Sequence, residues 1–415
     1  MPARAASPTL HQVVFVDGVR TPFGRARDDG LYAGTRGDDL AVKAVRELLR
    51  RNPSLPADQI DDVALAATSQ NGDQGLTLGR SVAVLAGLPR SVPGFAIDRM
   101  CAGAMTAVTA TAGAIAMGAQ RVTVAGGVEH MGHHPMGADT DPNPRFVAER
   151  LVDPSALVMG ATAENLHDRY PELTRGRADA YAVASQARYA AALAAGHITP
   201  DLVPIAVRDP LRGWGLATAD EPPRPGTTLE QVADLPTPFR AGGRVTAATS
   251  APLTDGAAVA LLASEQAAAE LGLTVGMRLV TFAYAGVEPE VMGIGPVPAT
   301  HKALALAGLE IGDIGLIEIN EAFAVQVLAF LDAFGIADGD ARVNPFGGAI
   351  AVGHPLACSG VRLMTQLARS FRLHPEVRYG LTTMCVGLGM GGTVIWENPH
   401  HSDPVTQDPT TQEQA

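Results

Sequence analysis

The chain repeats itself, and that constrains its fold more than any other feature. Residues 279–286 (LVTFAYAG) answer 12–18 (QVVFVDG), the unit 301–319 (HKALALAGLEIGDIGLIEI) answers 43–65, and 379–386 (YGLTTMCV) answers 121–128. A reactive side chain follows at a matched distance in each copy. Ile60 to Cys101 spans 41 positions, and Ile314 to His354 spans 40. Two similar copies of one supersecondary unit bury their apolar faces most simply against each other. The expectation is a pseudo-twofold core with one site at the junction, and with Cys101 and His354 at equivalent positions.

Within the first copy, strand and helix signals alternate. Residues 13–18 and 121–127 read as short apolar strands, and 60–67 as a third. Residues 37–51 carry Leu40, Val45 and Leu48 on one helical face, and a small-residue helix is expected over 102–118, after an extended segment at 94–99. That alternation predicts an α/β fold with a largely parallel sheet. From Met131 the texture changes to Pro, Asp, His and Arg, with a helix over Arg177–Ala195 and a proline-rich excursion at 207–227. A strand signal returns at 257–263. The resulting plan has an N-terminal core half (1–130 with 246–274), an inserted loop domain (131–245), a C-terminal half (275–400) and a polar tail (401–415) expected to be disordered. Aromatics are only 5% of the chain while Gly numbers 45, so the core must rest on small aliphatic residues and close backbone approach.

The net charge of −12 excludes a phosphate-neutralising nucleic-acid surface. Lys43 and Lys302 are the only lysines, so an anionic small molecule must be met by Arg or by backbone N–H groups. Three cysteines (Cys101, Cys358, Cys385) make no disulfide framework and fit no zinc spacing. No metal is expected, and a reducing cytoplasm is the natural compartment. No signal peptide or run of eighteen apolar residues marks a membrane span.

Four local patterns carry chemistry. Cys101, in DRMCAGAM, falls between an extended segment and a helix, where N-terminal N–H groups favour thiolate. His354, in GGAIAVGHP, is held between Gly353 and Pro355 and can take a thiol proton at neutral pH. Cys385 precedes a glycine run (MCVGLGMGG) able to aim N–H groups at an oxyanion. Asn320, in NEAF, can donate an amide to an oxyanion or position a water. Each also has a plain structural reading: a buried cysteine for Cys101 and Cys385, a turn cap for His354, a helix N-cap for Asn320.

Taken in order, DRMCAGAM, GGVEHMGHHPM, Met159 with GATAEN, NEAF, GGAIAVGHP and MCVGLGMGG resemble the motifs of the thiolase family, over about Val13 to Trp396. GGVEHMGHHPM and GPVPATHKAL look most like the degradative 3-ketoacyl-CoA thiolases of fatty-acid β-oxidation. The resemblance implies a layered core of helices around two sheets and a ping-pong acyl transfer. Carried over, Cys101 is the acylated nucleophile, His354 its base, and Cys385 the acid for the departing enolate. Backbone N–H groups of Cys101 and Gly387 hold one oxyanion, and Asn320 with His354 the other. Coenzyme A is a co-substrate, and no covalently bound cofactor is implied. On its side stand Arg224, Phe239, Met159 (lining the acyl pocket) and Phe323. Ala251 replaces a family serine at the pantetheine, with Ser250 the adjacent substitute; Ala357 stands where a glycine is frequent. The implied assembly is a homodimer or homotetramer, with a hydratase/dehydrogenase subunit as a possible partner. The rival readings are a biosynthetic acetoacetyl-CoA thiolase, a ketosynthase of the same superfold, and a non-catalytic acyl-CoA-binding scaffold.

Overall fold

Nine strands form one path of sheet in the computed structural model, which describes residues 10–138, 140–209 and 213–402. They are β1 (Val13–Arg20), β2 (Asp62–Ala66), β3 (Phe95–Ile97), β4 (Val122–His130), β5 (Thr254–Ser264), β6 (Met277–Gly286), β7 (Ile314–Ile319), β8 (Tyr379–Val386) and β9 (Met390–Glu397). The spatial order is β3-β2-β4-β5-β1-β6-β9-β8-β7. It reads the same from either end: β1 matches β6, β5 matches β9, β4 matches β8 and β2 matches β7. The counterpart of β3 shrinks to a parallel bridge from Val343 to Ile317. The two half-sheets join where β1 meets β6, through Val14 opposite Arg278 and Phe15 opposite Met277.

The expected parallel sheet is mixed. β2 pairs in parallel with β3 and β4, and β7 with β8. The pairings β4–β5, β5–β1, β1–β6, β6–β9 and β9–β8 are antiparallel. Only strands separated by a helical crossover can run parallel. β8 turns straight into β9 through residues 387–389, and β5 returns only after the long excursion, so both enter reversed.

Eight helices matter to the site: α1 (Gly37–Arg51), α2 (Leu78–Ala86), α3 (Gly103–Ala116), α4 (Met159–Arg169), α5 (Arg175–Ala194), α6 (Pro296–Ala307), α7 (Ala324–Ala333) and α8 (Ser359–Leu373). α1 carries Asp38 and Asp39 in its first turn and Arg50 and Arg51 in its last, matching its dipole, and buries Leu40, Ala41, Ala44, Val45 and Leu48 on one stripe. Strand alternation sorts residues between layers. Val13 and Phe15 enter a central core with α3 and α8, while Val14 and Val16 enter an outer core with α1 and α2. A third core gathers α6, α7 and the outer face of the C-terminal half, together with Ala163, Leu166, Tyr181 and Ala182 of the insert. The sequence is therefore helix, sheet, helix, sheet, helix. α3 and α8 lie in the middle, where small residues are required: a Cβ on Gly103 would stand 2.7 Å from Ala66 Cβ, and one on Gly360 2.7 Å from the Met105 nitrogen.

The excursion between β4 and β5 runs from 131 to 253 and holds α4, α5 and a ribbon of Ile205–Asp209 with Gly213–Ala217. Residues 403–415, most of the segment expected to be disordered, lie outside the described residues. Among the described residues no helix is long and apolar enough to cross a membrane.

Candidate active site

Cys101 sits in a short 3-10 turn, Met100–Ala102, that leads into α3. Met100 adopts φ 45°, a left-handed conformation uncommon for a non-glycine residue, and its N–H donates to Asp98 Oδ1 at 2.6 Å. This tight bend presents the thiol where β3 ends. The backbone N–H groups of Gly387 and of Cys101 itself both act on the sulfur. The lowered thiol pKa expected at a helix N-terminus is not what the structure produces. Burial pushes the Cys101 thiol up to about 12, against the Gly387 N–H, and the buried Glu129 carboxyl adds to the rise. Desolvation of a thiolate outweighs two N–H donors.

His354 is reached through Gly353, whose φ of 98° suits glycine alone and whose added Cβ would lie 2.3 Å from Thr254 Cγ2. The imidazole is 5% exposed. Its Nδ1 lies 2.6 Å from Ser359 Oγ and its Nε2 3.3 Å from Asn320 Nδ2. An amide donor at Nε2 places the ring proton on Nδ1, toward Ser359, and leaves Nε2 as the acceptor nitrogen of a neutral ring. Burial, helped by the Arg362 charge, depresses His354 to about 3. The resting site thus holds a neutral thiol and a neutral imidazole. Asn320 is fully buried, and α7 starts only at Ala324, so the N-cap reading of Asn320 fails.

The matched spacing does not make Cys101 and His354 strict counterparts. Cys101 precedes α3 by two residues and His354 precedes α8 by five, so Ala357 occupies the position answering Cys101. The Gly353–His354–Pro355 bend inserts the difference and swings the imidazole to the junction.

Cys101, His354 and Cys385 line one open cleft of about 460 Å³. The insert adds Met136, Met159, Ala251, Pro252 and Leu253, and the C-terminal half adds Met292, Ala322, Phe323 and Leu356. Burial raises the Cys385 thiol, and the Cys101 sulfur raises it further. Gly387, in the turn after β8, has no side chain to block the approach; a Cβ there would meet Met100 Sδ at 2.7 Å. Phe239 stands edge-on to Phe323 with ring centroids 6.3 Å apart, and is 40% exposed. Ser250 does not join them. Its hydroxyl donates to the Thr246 carbonyl at 2.8 Å, and Ala251 faces the cleft instead. Arg224 is exposed on the insert, away from the cleft lining, with its N–H bonded to Gln186 Oε1 at 2.9 Å.

Several positioning groups escaped the sequence reading. Glu129 is fully buried, and its Oε2 accepts the N–H of Thr68 (3.2 Å) and of Ala357 (3.1 Å), pinning the His354 loop to the N-terminal half. Glu321 accepts from Tyr181 (2.9 Å), Ser185 (2.7 Å), Asn344 (2.8 Å) and the Ile350 N–H (3.1 Å), locking the insert to the same loop. Both lie inside quoted motifs, and only their fourfold or bridging geometry marks them. Met136 also lies in such a motif; Met292 and Ser359 had no signal beyond proximity in sequence. Among the described residues no group of three or more His, Cys, Asp or Glu is arranged to hold a metal ion.

The family model for the thiolase N-terminal domain matches residues 13–266, and that for the thiolase C-terminal domain matches 273–398. The chain belongs to the thiolase family. This thiolase is 43% identical over 404 residues to a β-ketoadipyl-CoA thiolase of Escherichia coli, covering 94% of this chain and 100% of the relative. It is 42% identical over 390 residues to a 3-ketoacyl-CoA thiolase of Escherichia coli O1:K1 / APEC, with coverage of 94% and 100%. Among solved structures, the human mitochondrial 3-ketoacyl-CoA thiolase superposes with a TM-score of 0.85 at 32% identity, covering 94% of this chain and 100% of that one. The acetyl-CoA acetyltransferase of Bacillus anthracis gives 0.83 at 34%, covering 94% and 99%.

Proposed function

We propose that this thiolase cleaves a 3-ketoacyl-CoA with a second coenzyme A, releasing acetyl-CoA and a shortened acyl-CoA, in the degradative direction of fatty-acid metabolism. The observation that carries the reading is the convergence of two thiols and one neutral imidazole on a single cleft. Cys101 Sγ attacks the 3-keto carbonyl while His354 Nε2 takes its proton. With a buried neutral imidazole and a partly buried neutral thiol, proton transfer and sulfur–carbon bond formation run together, because a standing ion pair is poorly solvated there. The carbon–carbon bond then breaks, and the acetyl-CoA enolate takes a proton from Cys385. The CoA thiol finally gives its proton to the Cys385 thiolate and displaces the acyl group from Cys101, whose sulfur recovers the proton held by His354. The N–H groups of Gly387 and Cys101, already aimed at the sulfur, are suited to the tetrahedral oxyanion. Asn320 Nδ2 is suited to the enolate oxygen.

The acyl wall supports an uncharged tail. Met136, Met159, Met292, Leu253 and Leu356 line it, and no Lys or Arg does among the described residues. That favours a fatty substrate over the ω-carboxylated one named for the β-ketoadipyl relatives. The likeness to 3-ketoacyl-CoA thiolases, 42% identical over 94% of the chain, favours degradative thiolysis over biosynthetic condensation. For CoA, the Phe239–Phe323 pair suits the pantetheine arm and the exposed Arg224 the nucleotide end. A homodimer or homotetramer in a reducing cytoplasm, supplied by a hydratase/dehydrogenase partner, completes the proposal; three free cysteines suit that compartment. A thiolysis assay with CoA and 3-ketoacyl-CoA of several lengths tests it. Turnover with an acyl adduct on Cys101 is expected, and no turnover at any length would leave the scaffold reading.

A further inference from the structure

The histidines of GGVEHMGHHPM take no part in the chemistry, yet they are held by closely matched partners. His130 ends β4, and His133 and His134 follow it. His133 Nδ1 lies 2.9 Å from Asp73 Oδ2, and His134 Nε2 lies 2.5 Å from Asp73 Oδ1. The Gly37 N–H, at the start of α1, also donates to Oδ2, at 2.9 Å. Three hydrogen bonds converging on one carboxyl favour its ionised form, which can only accept. The other ring nitrogen of His133 lies 3.0 Å from the Ala33 carbonyl, again an acceptor only. A ring set between two acceptors needs a hydrogen on each nitrogen, so His133 is an imidazolium. It stacks on His130, with centroids 3.7 Å apart and planes 11° apart. His130 is neutral by the same reasoning: Nδ1 accepts the His133 N–H at 3.1 Å, and Nε2 donates to the Tyr32 carbonyl at 3.1 Å. Gly72 makes room for His134, since a Cβ there would stand 2.7 Å from the ring. The cluster lies at the root of the acyl wall. Met136 is two residues beyond His134, across Pro135, whose fixed φ stiffens the link. The Gly132 N–H donates to Asp255 Oδ1 at 2.9 Å, and Asp255 follows the wall residue Leu253 by two.

We propose that Asp73, His133 and His134 are positioning residues for Met136, a clamp that sets the acyl wall for tailed substrates and holds only while His133 carries its second proton. This rests on the thiolase reading above. A neutral His133 can donate to Asp73 or to Ala33 but not to both, and the abandoned acceptor then faces a lone pair. His134 needs a hydrogen on Nε2 alone, which a neutral ring supplies, so the proton of His133 decides whether the clamp is complete. Asp73, His134, His130 and Asp255 face His133, with Arg36 beside Asp73 and Glu221 beside Asp255. The Ala33 carbonyl and Asp73 raise His133 against burial, so its proton is held below about pH 6.5 and is lost as pH rises through the folded value. Burial lowers His130, which stays neutral across that range. Burial raises the Asp255 carboxyl only to about 6, so above about pH 6.5 it is mostly ionised.

The test is a ratio: kcat/KM for 3-oxohexanoyl-CoA over kcat/KM for acetoacetyl-CoA, at about pH 6.5 and about pH 8.5. Both substrates use the same thiols, imidazole and CoA, so those ionisations cancel and the contact of the tail with the wall remains. In the unmodified enzyme the ratio should fall about two- to fourfold at the higher pH, the worth of about one methylene contact. His133 is exposed, so His133→Gln can be made without disturbing the core. That variant should show the low ratio at both pH values and leave acetoacetyl-CoA turnover unchanged. A ratio that does not move with pH in the unmodified enzyme overturns the proposal, as does a His133→Gln enzyme whose ratio still falls. A second measurement needs no turnover. The methyl resonance of Met136, isotope-labelled and assigned with Met136→Leu, should shift over the same pH range in the unmodified protein and stay still in His133→Gln; a resonance that is still in both, or moves in both, overturns the clamp. No turnover by the unmodified enzyme defeats the thiolase reading instead, and the methyl titration then decides the clamp by itself.

Discussion

A matched pair of substrates tests the acyl wall most directly. 3-Oxohexanoyl-CoA and 3-oxoadipyl-CoA have the same carbon count and differ only at the chain end, methyl against carboxylate. In this cleft that end meets thioether and aliphatic groups from Met136, Met159, Met292, Leu253 and Leu356. The two carboxylates acting on Cys101, Glu129 and Asp98, add a like-charge field. A fully buried carboxylate without a partner costs several kcal/mol. Burial here is incomplete, because Met136 at the mouth is 48% exposed and lets water reach the chain end. Halving the cost leaves about 1.4–2.8 kcal/mol, or roughly ten- to hundredfold in kcat/KM in favour of the uncharged tail. The assay is initial-rate thiolysis with each substrate at fixed CoA, and with acetoacetyl-CoA as a tail-free control. Met136→Lys, which places a cation at the half-exposed mouth, should narrow the gap by about two- to fivefold. Equal or inverted preference by the unmodified enzyme refutes the reasoning, since it would require a cation, and the wall holds none among the described residues.

Further outcomes follow from the same geometry. Cys101→Ser should lower kcat by about a thousandfold or more, since a hydroxyl is a far weaker nucleophile; mass spectrometry after substrate addition should find no acyl adduct on Cys358 in either protein. Gly387→Ala should reduce kcat by about tenfold or more with little change in thermal midpoint, because the new Cβ lands against Met100 Sδ beside the sulfur. Glu321→Gln turns one acceptor oxygen into a donor facing donors, and should cost about 2–3 kcal/mol in denaturant unfolding followed by tryptophan fluorescence. The loop 131–136 should show a pH optimum of hydrogen-exchange protection. Despite burial, the Gly37 N–H, His134 and His133 hold Asp73 well below the carboxylate range, so that contribution is lost only in strong acid. His133 is raised, against burial, by the Ala33 carbonyl and Asp73, so its contribution is complete below about pH 6.5 and fades as pH rises past its folded value. Protection should therefore be greatest between about pH 4 and 6.5 and lose its alkaline decline in His133→Gln.

Much of this architecture was legible because it is periodic. The duplicated strands, α1, α3 and the long insert helix α5 follow from apolar spacing, and the composition told that close-packed central helices were coming. Strand direction was not legible, because β5 and β9 read as apolar runs whichever way they enter. The nucleophile and base stood out as types of residue in unusual glycine-rich surroundings. Their electrostatics did not: a helix N-terminus argues for a lowered Cys101 pKa until the desolvation imposed by β8, α8 and the turn at Leu356–Cys358 is known. Ser250 and Asn320 show the same limit. One turns its hydroxyl onto its own backbone, the other misses its helix by four residues, and neither fact is visible without backbone geometry.

The pseudo-twofold core explains why one site exists rather than two. Each half brings a turn into the N-terminus of its central helix, and those helices cross at small residues, Gly103 facing Ala357 and Gly360 facing Met105. Such an approach puts the two turns side by side, so a residue added to either turn changes what its partner faces. In the first half the bend at Met100 delivers a thiol directly ahead of α3. In the second, the extra length of Gly353–His354–Pro355 retracts the equivalent position to the small Ala357, whose N–H is held by Glu129 from the first half. That leaves room for an imidazole to reach across from farther back. Strict symmetry would set two like groups against each other at the junction. The three-residue offset instead makes one half supply the nucleophile and the other its base, and restoring the symmetry by shortening the Gly353–Pro355 bend should abolish acylation of Cys101 while leaving the sheet order intact, a result that acyl-adduct mass spectrometry and circular dichroism together would decide.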